Sequence, residues 1–180
     1  SESVKKKFNA SFNMFTMLDR SLLNNYMAKR SNLPKYAKGK EFISLPFVVY
    51  VMSKCKKFNV NFLISPDKEV IRGGEPCDGF FEHPEKGESG SLVICIGKEK
   101  DEVLHTLAHE FSHLMQWYED DPIYLAWDKN DNEANSHALE DDAERRALLL
   151  LQEWNLYNDK AAERSDKYLK DLRGENNANV

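Results

Sequence analysis

Apolar residues early in the chain fall at Phe8, Phe12, Phe15, Leu18, Leu22 and Tyr26. Steps of three and four place them on one face of a helix, which is predicted to end before Asn32-Leu33-Pro34. A second helix is predicted over Pro46 to Lys57, apolar and then basic, with Pro46 in the first turn, where its missing N–H is harmless. Residues 60–65 (VNFLIS), 79–82 (GFFE) and 91–96 (SLVICI) predict strands, with Pro84 to Gly90 as the turn between the last two. The period then lengthens again. From about Asp101 to Glu119, the residues Val103, Leu107, Phe111, Leu114 and Met115 share a helical face, and Pro122 stops the run. Asp120 to Asn130 is polar apart from Ile123, Leu125 and Trp127 and is expected to be a lid or packed loop. A second long helix is predicted from about Asp131 to Trp154, and a shorter one over residues 159–172.

Six of the eight glycines lie between Gly73 and Gly97, whereas beyond Gly97 only Pro122 and Gly174 interrupt the chain. The middle is therefore expected to hold strands and turns and the C-terminal half helices. The resulting expectation is an α+β fold, a small, mostly antiparallel sheet packed on the helix that begins near Asp101, with further helices on either side. No repeat, low-complexity segment or long linker divides the 180 residues. Residues 1–174 are expected to form one domain, with 1–57 as a basic helical part and 175–180 as a frayed tail.

Composition removes several classes. Hydrophobic residues make 41% and charged residues 31% of the chain, which is too apolar for a disordered protein. The longest unbroken apolar run, Phe47 to Met52, has six residues, so no helical membrane span is expected. After Lys5, Lys6 and Lys7, the polar Asn9, Ser11 and Asn13 interrupt the apolar stretch that a secretory signal requires. Cys55, Cys77 and Cys95 are odd in number and widely spaced, which excludes a disulfide scaffold or cysteine zinc ribbon and suits the reducing cytoplasm. Residues 1–57 carry 12 Lys and Arg against 3 Asp and Glu, or +9, while residues 58–180 carry -14. A basic third on an acidic body fits a surface for nucleic acid or anionic lipid. The reading preferred here is that it balances the acidic part.

The chemistry is concentrated in His109-Glu110-Phe111-Ser112-His113, an H-E-x-x-H pattern inside the predicted helix. Residues four apart stand one turn above each other, so both imidazoles project toward one ion. Glu110 lies about 100° further round, where it takes a proton from water rather than ligating. With 5 His in the chain, the pattern arises by chance in roughly one such sequence in a hundred. Zinc fits because imidazole is a good ligand and the ion leaves a position open.

A catalytic zinc site of this kind needs a third protein ligand. Glu133, His137, Glu140 and Glu144 form one stripe on the second long helix. Glu140 is preferred, because Ala143 at +3 lets the helix come close and Glu144 at +4 can orient a ligand histidine. His137 remains the rival, either as ligand or as a donor to a developing oxyanion, a role for which Tyr118 and Tyr124 are also candidates. His105, one turn before His109, could support a ligand histidine but is expected to be partly exposed with no role, and His83, in a turn, is expected to be structural. Asp128, Asn130 and Asn132 imitate a calcium loop, but Glu133 replaces its glycine, so they are expected to be a loop and helix cap.

Thr106-Leu107-Ala108-His109-Glu110-Phe111-Ser112-His113, followed by Glu140-x-x-Ala143-Glu144-x-x-Ala147-Leu148, resembles the gluzincin metallopeptidases. It is most similar to their small ImmA/IrrE-like domains over about residues 91–150. The resemblance implies a zincin-like fold, with His109, His113 and Glu140 holding Zn2+ and Glu110 as general base. The expected function is hydrolysis of peptide bonds in a protein or peptide substrate through a zinc-activated water. Substrate backbone is expected to add to a sheet edge, with residues 79–82 the candidate strand. The alternatives are a zinc-containing binding module without turnover, and a nucleic-acid-associated protein using the basic third.

Overall fold

The computed structural model describes residues 39–175. The helix expected between Phe8 and Tyr26, most of the basic third and residues 176–180 lie outside the described residues. The chain divides into two compact units at a point inside one helix, between Leu107 and Ala108.

The described part of the first unit begins with α1 (Gly39–Ser44) and α2 (Pro46–Lys57). Leu45 is extended, Pro46 opens α2, and the Phe58 N–H closes it on the Lys54 and Cys55 carbonyls. Asn59 then turns the chain with a φ of 58°, the left-handed conformation that asparagine tolerates better than most residues. Five strands follow: β1 (Val60–Ser65), β2 (Val70–Arg72), β3 (Glu75–Cys77), β4 (Gly79–Glu82) and β5 (Gly90–Cys95), and then α3 (Lys100–Tyr118) begins.

One sheet has the order β1-β5-β4, and β2 and β3 form a separate ribbon. β4 runs antiparallel to β5, with Gly79 opposite Ile94 and Glu82 opposite Ser91. The expected turn between them is present, closed by the Glu85–Glu88 bridge. Antiparallel pairing thus accounts for two of the three ladders, but the longest, β1 with β5, is parallel from Val60–Gly90 to Ser65–Cys95. The reason lies in burial. β1 exposes only Asn61 and β5 no residue, and strands covered on both faces become continuous apolar runs, as parallel strands do. The β2–β3 ribbon was not anticipated, although Gly73 and Gly74, with φ of 60° and 88°, are the two-residue turn that such a ribbon needs.

Gly90 admits no side chain, since a Cβ there would lie 2.6 Å from the Glu82 carbonyl oxygen. A Cβ on Gly79 would lie 3.2 Å from Thr106 Cγ2, so the first turns of α3 rest against β4. The interior of this unit is almost wholly apolar, with Phe42, Phe47, Leu92, Ile94, Leu104 and Leu107 fully buried.

The second unit is helical among the described residues: the remainder of α3, α4 (Pro122–Lys129), α5 (Glu133–Glu153) and α6 (Asp159–Leu172). The expected lid or loop over Asp120 to Asn130 is corrected here, because most of it is α4. Asp121 caps that helix, accepting from the Ile123 N–H at 2.8 Å, and Pro122 takes its first position. An Asp-Pro pair is a helix start as well as a break, and the apolar Tyr124 is buried behind it. Asn132 caps α5 through the Asn135 N–H, the cap expected in place of a calcium loop, and Asn158 caps α6 through the Ala161 N–H. No helix among the described residues is long and apolar enough to cross a membrane.

Candidate metal centre

All side chains of the centre come from α3, α5 and α6 within the second unit. On α3, His109 and His113 stand one turn apart, with ring centroids 4.7 Å apart and planes near perpendicular. On α5, Leu139, Ala143, Ala147 and Leu151 form the buried stripe. Glu140 and Glu144 flank it. Ala143 at 0% exposure is the small residue expected three positions after Glu140.

Ligand atoms of His109, His113 and Glu140 all lie within 4.8 Å of one another. Glu140 Oε2 is 2.9 Å from His109 Nε2, and its Oε1 is 3.4 Å from His113 Nε2. The two Nε2 atoms are 3.1 Å apart. Both outer ring nitrogens have acceptors. His109 Nδ1 donates to Glu144 Oε1 at 2.6 Å, and His113 Nδ1 to Gln116 Oε1 at 2.8 Å. Ser165 on α6 donates to the second oxygen of Glu144 at 2.5 Å.

With both rings neutral, this pattern turns two imidazole lone pairs and one carboxylate toward a single point. Three acceptors facing one another repel unless a cation stands between them, whether a proton or a metal ion. Two nitrogens and one oxygen are also the donor set of a catalytic zinc site with a position left open. The residues therefore fit zinc.

The electrostatics agree. Burial by itself would lower the His109 pKa, but its bonds to Glu140 and Glu144 and the nearby Glu110 charge hold it well above the ordinary histidine value. Burial would raise the Glu140 carboxyl, but the two histidines outweigh that and hold it well below the carboxylate range. Tyr168 on α6 donates to Glu140 Oε2 at 2.8 Å, and its ring meets His109 edge-on at 5.4 Å. Tyr168 is 40% exposed, but its hydroxyl is held against Glu140, and that desolvation with the charges of Glu140, Glu110 and Glu144 raises its pKa, so it remains a donor.

Glu110 is buried at 8% exposure and is outside the three-residue group. His137 also lies outside that group, half-buried on α5. Tyr118 is 48% exposed at the end of α3, and Tyr124 is buried in α4 with its ring on Trp127. His105, expected to be partly exposed, is buried at 6%. Sequence reasoning missed Gln116, Ser165 and Tyr168. Gln116 had a signal, since it stands three positions after His113 on the same helix, within reach of that ring. Ser165 and Tyr168 had none, because nothing local links α6 to the histidines.

No family model matches this chain, and no curated protein and no solved structure matches it either.

Proposed function

We propose that this chain is a zinc-dependent metallopeptidase that hydrolyses peptide bonds of a protein or peptide substrate. One observation carries the reading: His109, His113 and Glu140 converge while Glu144 and Gln116 occupy the far side of each ring. A bound zinc ion supplies Lewis acidity there, polarising a carbonyl and lowering the pKa of water toward neutrality. His109, His113 and Glu140 would hold it. Glu110, one position after the first ligand, would accept a proton from water and pass it to the leaving amine. Its charge already raises the His109 and Tyr168 pKa values, so its carboxylate acts on the same small volume. Tyr168 keeps its proton and gives Glu140 a fixed partner.

The experiment pairs metal content with turnover. Wild type should carry about one zinc per chain, and Glu110→Gln should keep it. A screen for new N-termini supplies a substrate, on which Glu110→Gln should lose about 10²–10⁴ in rate. Equal cleavage by the two proteins would remove Glu110 as the base. Zinc without cleavage by either would favour the binding module, and absence of any transition metal after zinc is supplied would end the reading.

A further inference from the structure

The two ring partners differ in kind. Glu144 is a carboxylate, which accepts through either oxygen, so it fixes His109 whichever way it turns. Gln116 is an amide with one accepting and one donating end. Reversed, it would offer N–H to His113 Nδ1 and select the opposite form of the ring. Something must hold it in the right sense.

Gln116 is fully buried at 0% exposure. Its Nε2 faces two acceptors, the Leu139 carbonyl at 3.2 Å and Asp142 Oδ2 at 2.9 Å. An amide donates only through nitrogen, so these two contacts settle its sense and leave Oε1 on His113 Nδ1. In the neutral ring this places the proton on Nδ1 and leaves Nε2 its lone pair. Asp142 is in turn held by Arg145 at 2.6 Å and by Arg146 Nε at 2.7 Å. Arg146 also binds Glu119 at 2.9 Å and Asp121 at 2.8 Å, fastening the end of α3 and the cap of α4 to α5.

We propose that Gln116 is a positioning residue, oriented by Asp142 and Arg146, that holds His113 in the form presenting the Nε2 lone pair to a cation. The relay Arg146–Asp142–Gln116–His113 thus does for the second histidine what Glu144 does for the first. Its consequence for zinc affinity rests on the function proposed above. The protonation pattern of the ring does not.

Nitrogen-15 spectra of the imidazoles test it. In wild type, with the His113 ring neutral or zinc-loaded, the ring proton should sit on Nδ1; a proton on Nε2 overturns the inference without any variant. In Gln116→Met, which keeps the volume and removes the amide, the single ring form should be lost and zinc affinity should fall about 10–100-fold. Asp142→Ala, which removes one of the two acceptors of Gln116 Nε2 without touching His113, should leave the ring in a mixture of forms and lower the affinity by a smaller factor, which a residue that only filled space would not require. An unchanged ring form and affinity in folded Gln116→Met, or an unchanged ring form in folded Asp142→Ala, overturns the relay. Should wild type bind no zinc, the peptidase reading falls, while the metal-free spectrum still decides the position of the proton.

Discussion

The interiors of the two units are built from opposite materials. In the first, the fully buried side chains are aromatic and aliphatic, and Ser65 and His105 are the buried polar residues among those described. In the second, a stretch of similar described length buries His109, Glu110, Ser112, His113, Gln116, Glu144 and Ser165. An unpaired buried polar group costs about 1–3 kcal/mol, so such an interior persists only when its members satisfy one another. Here they are chained: Ser165 to Glu144 to His109, and Arg146 to Asp142 to Gln116 to His113. The lesson is a division of labour by chemistry. Apolar burial stabilises the first unit without specifying any reaction, while the second spends burial on holding donors and acceptors in fixed directions.

The sharpest break in that comparison is His109→Ala. It removes a donor from the three-residue group and should abolish zinc binding, read by metal analysis after dialysis. Retention of one tight zinc per chain would dismiss the centre. In the first unit, Leu92→Ala empties a position with 0% exposure and should cost about 2–5 kcal/mol in denaturant unfolding. Zinc stoichiometry per folded chain should not change. Back in the second unit, Glu144→Ala leaves His109 Nδ1 without its acceptor, and zinc affinity should fall about 10–100-fold in a competition titration.

The pH response separates the units further. Burial pushes the Cys55 and Cys95 thiols up to about 12, against an ordinary 9.0. Their contribution is intact below the ordinary value and is lost as pH rises between the two, because only the unfolded thiols ionise readily there. In the metal-free second unit, the raised His109 contributes fully below its ordinary 6.5 and loses that contribution as pH rises through its folded value. The depressed Glu140 contributes above its ordinary 4.5 and loses its contribution on acidification. Thermal melts without metal should therefore peak between 4.5 and 6.5, and zinc should move the optimum upward, since ligation requires neutral imidazole. An optimum that ignores zinc would contradict the ion-pair origin of these shifts. The smallest effect is expected at the surface of the first unit. Arg72 lies 4.6 Å over the Phe80 ring and 3.3 Å from Glu82 while half exposed, and Arg72→Ala should cost about 1 kcal/mol or less.

Local pattern was enough for much of this molecule. The period of three and four fixed α3, α5 and α6 nearly to the residue, and the Pro46 and Asn132 starts followed from what a helix N-terminus requires of its N–H groups. The one-turn spacing of His109 and His113 made the pair a candidate ligand set before any fold was known, because helix geometry is the same everywhere. Other features were settled only by tertiary structure. His137 and Glu140 share a stripe; Ala143 and Glu144 favoured Glu140, but His137 stayed a rival until the structure brought Glu140 to the two Nε2 atoms. The parallel register of β1 and β5 depends on cover over both faces, a property of neighbours and not of either strand. Tyr168 and Ser165 reach the centre from a helix with no motif, and the sense of the Gln116 amide depends on Asp142, 26 residues further along. A repeating backbone geometry propagates for a few turns and can be read from spacing. Contacts between separate helices depend on where packing brings them, which is why the histidine pair and Glu144 as a group to orient it could be read from the chain, while Ser165 and Tyr168 could not.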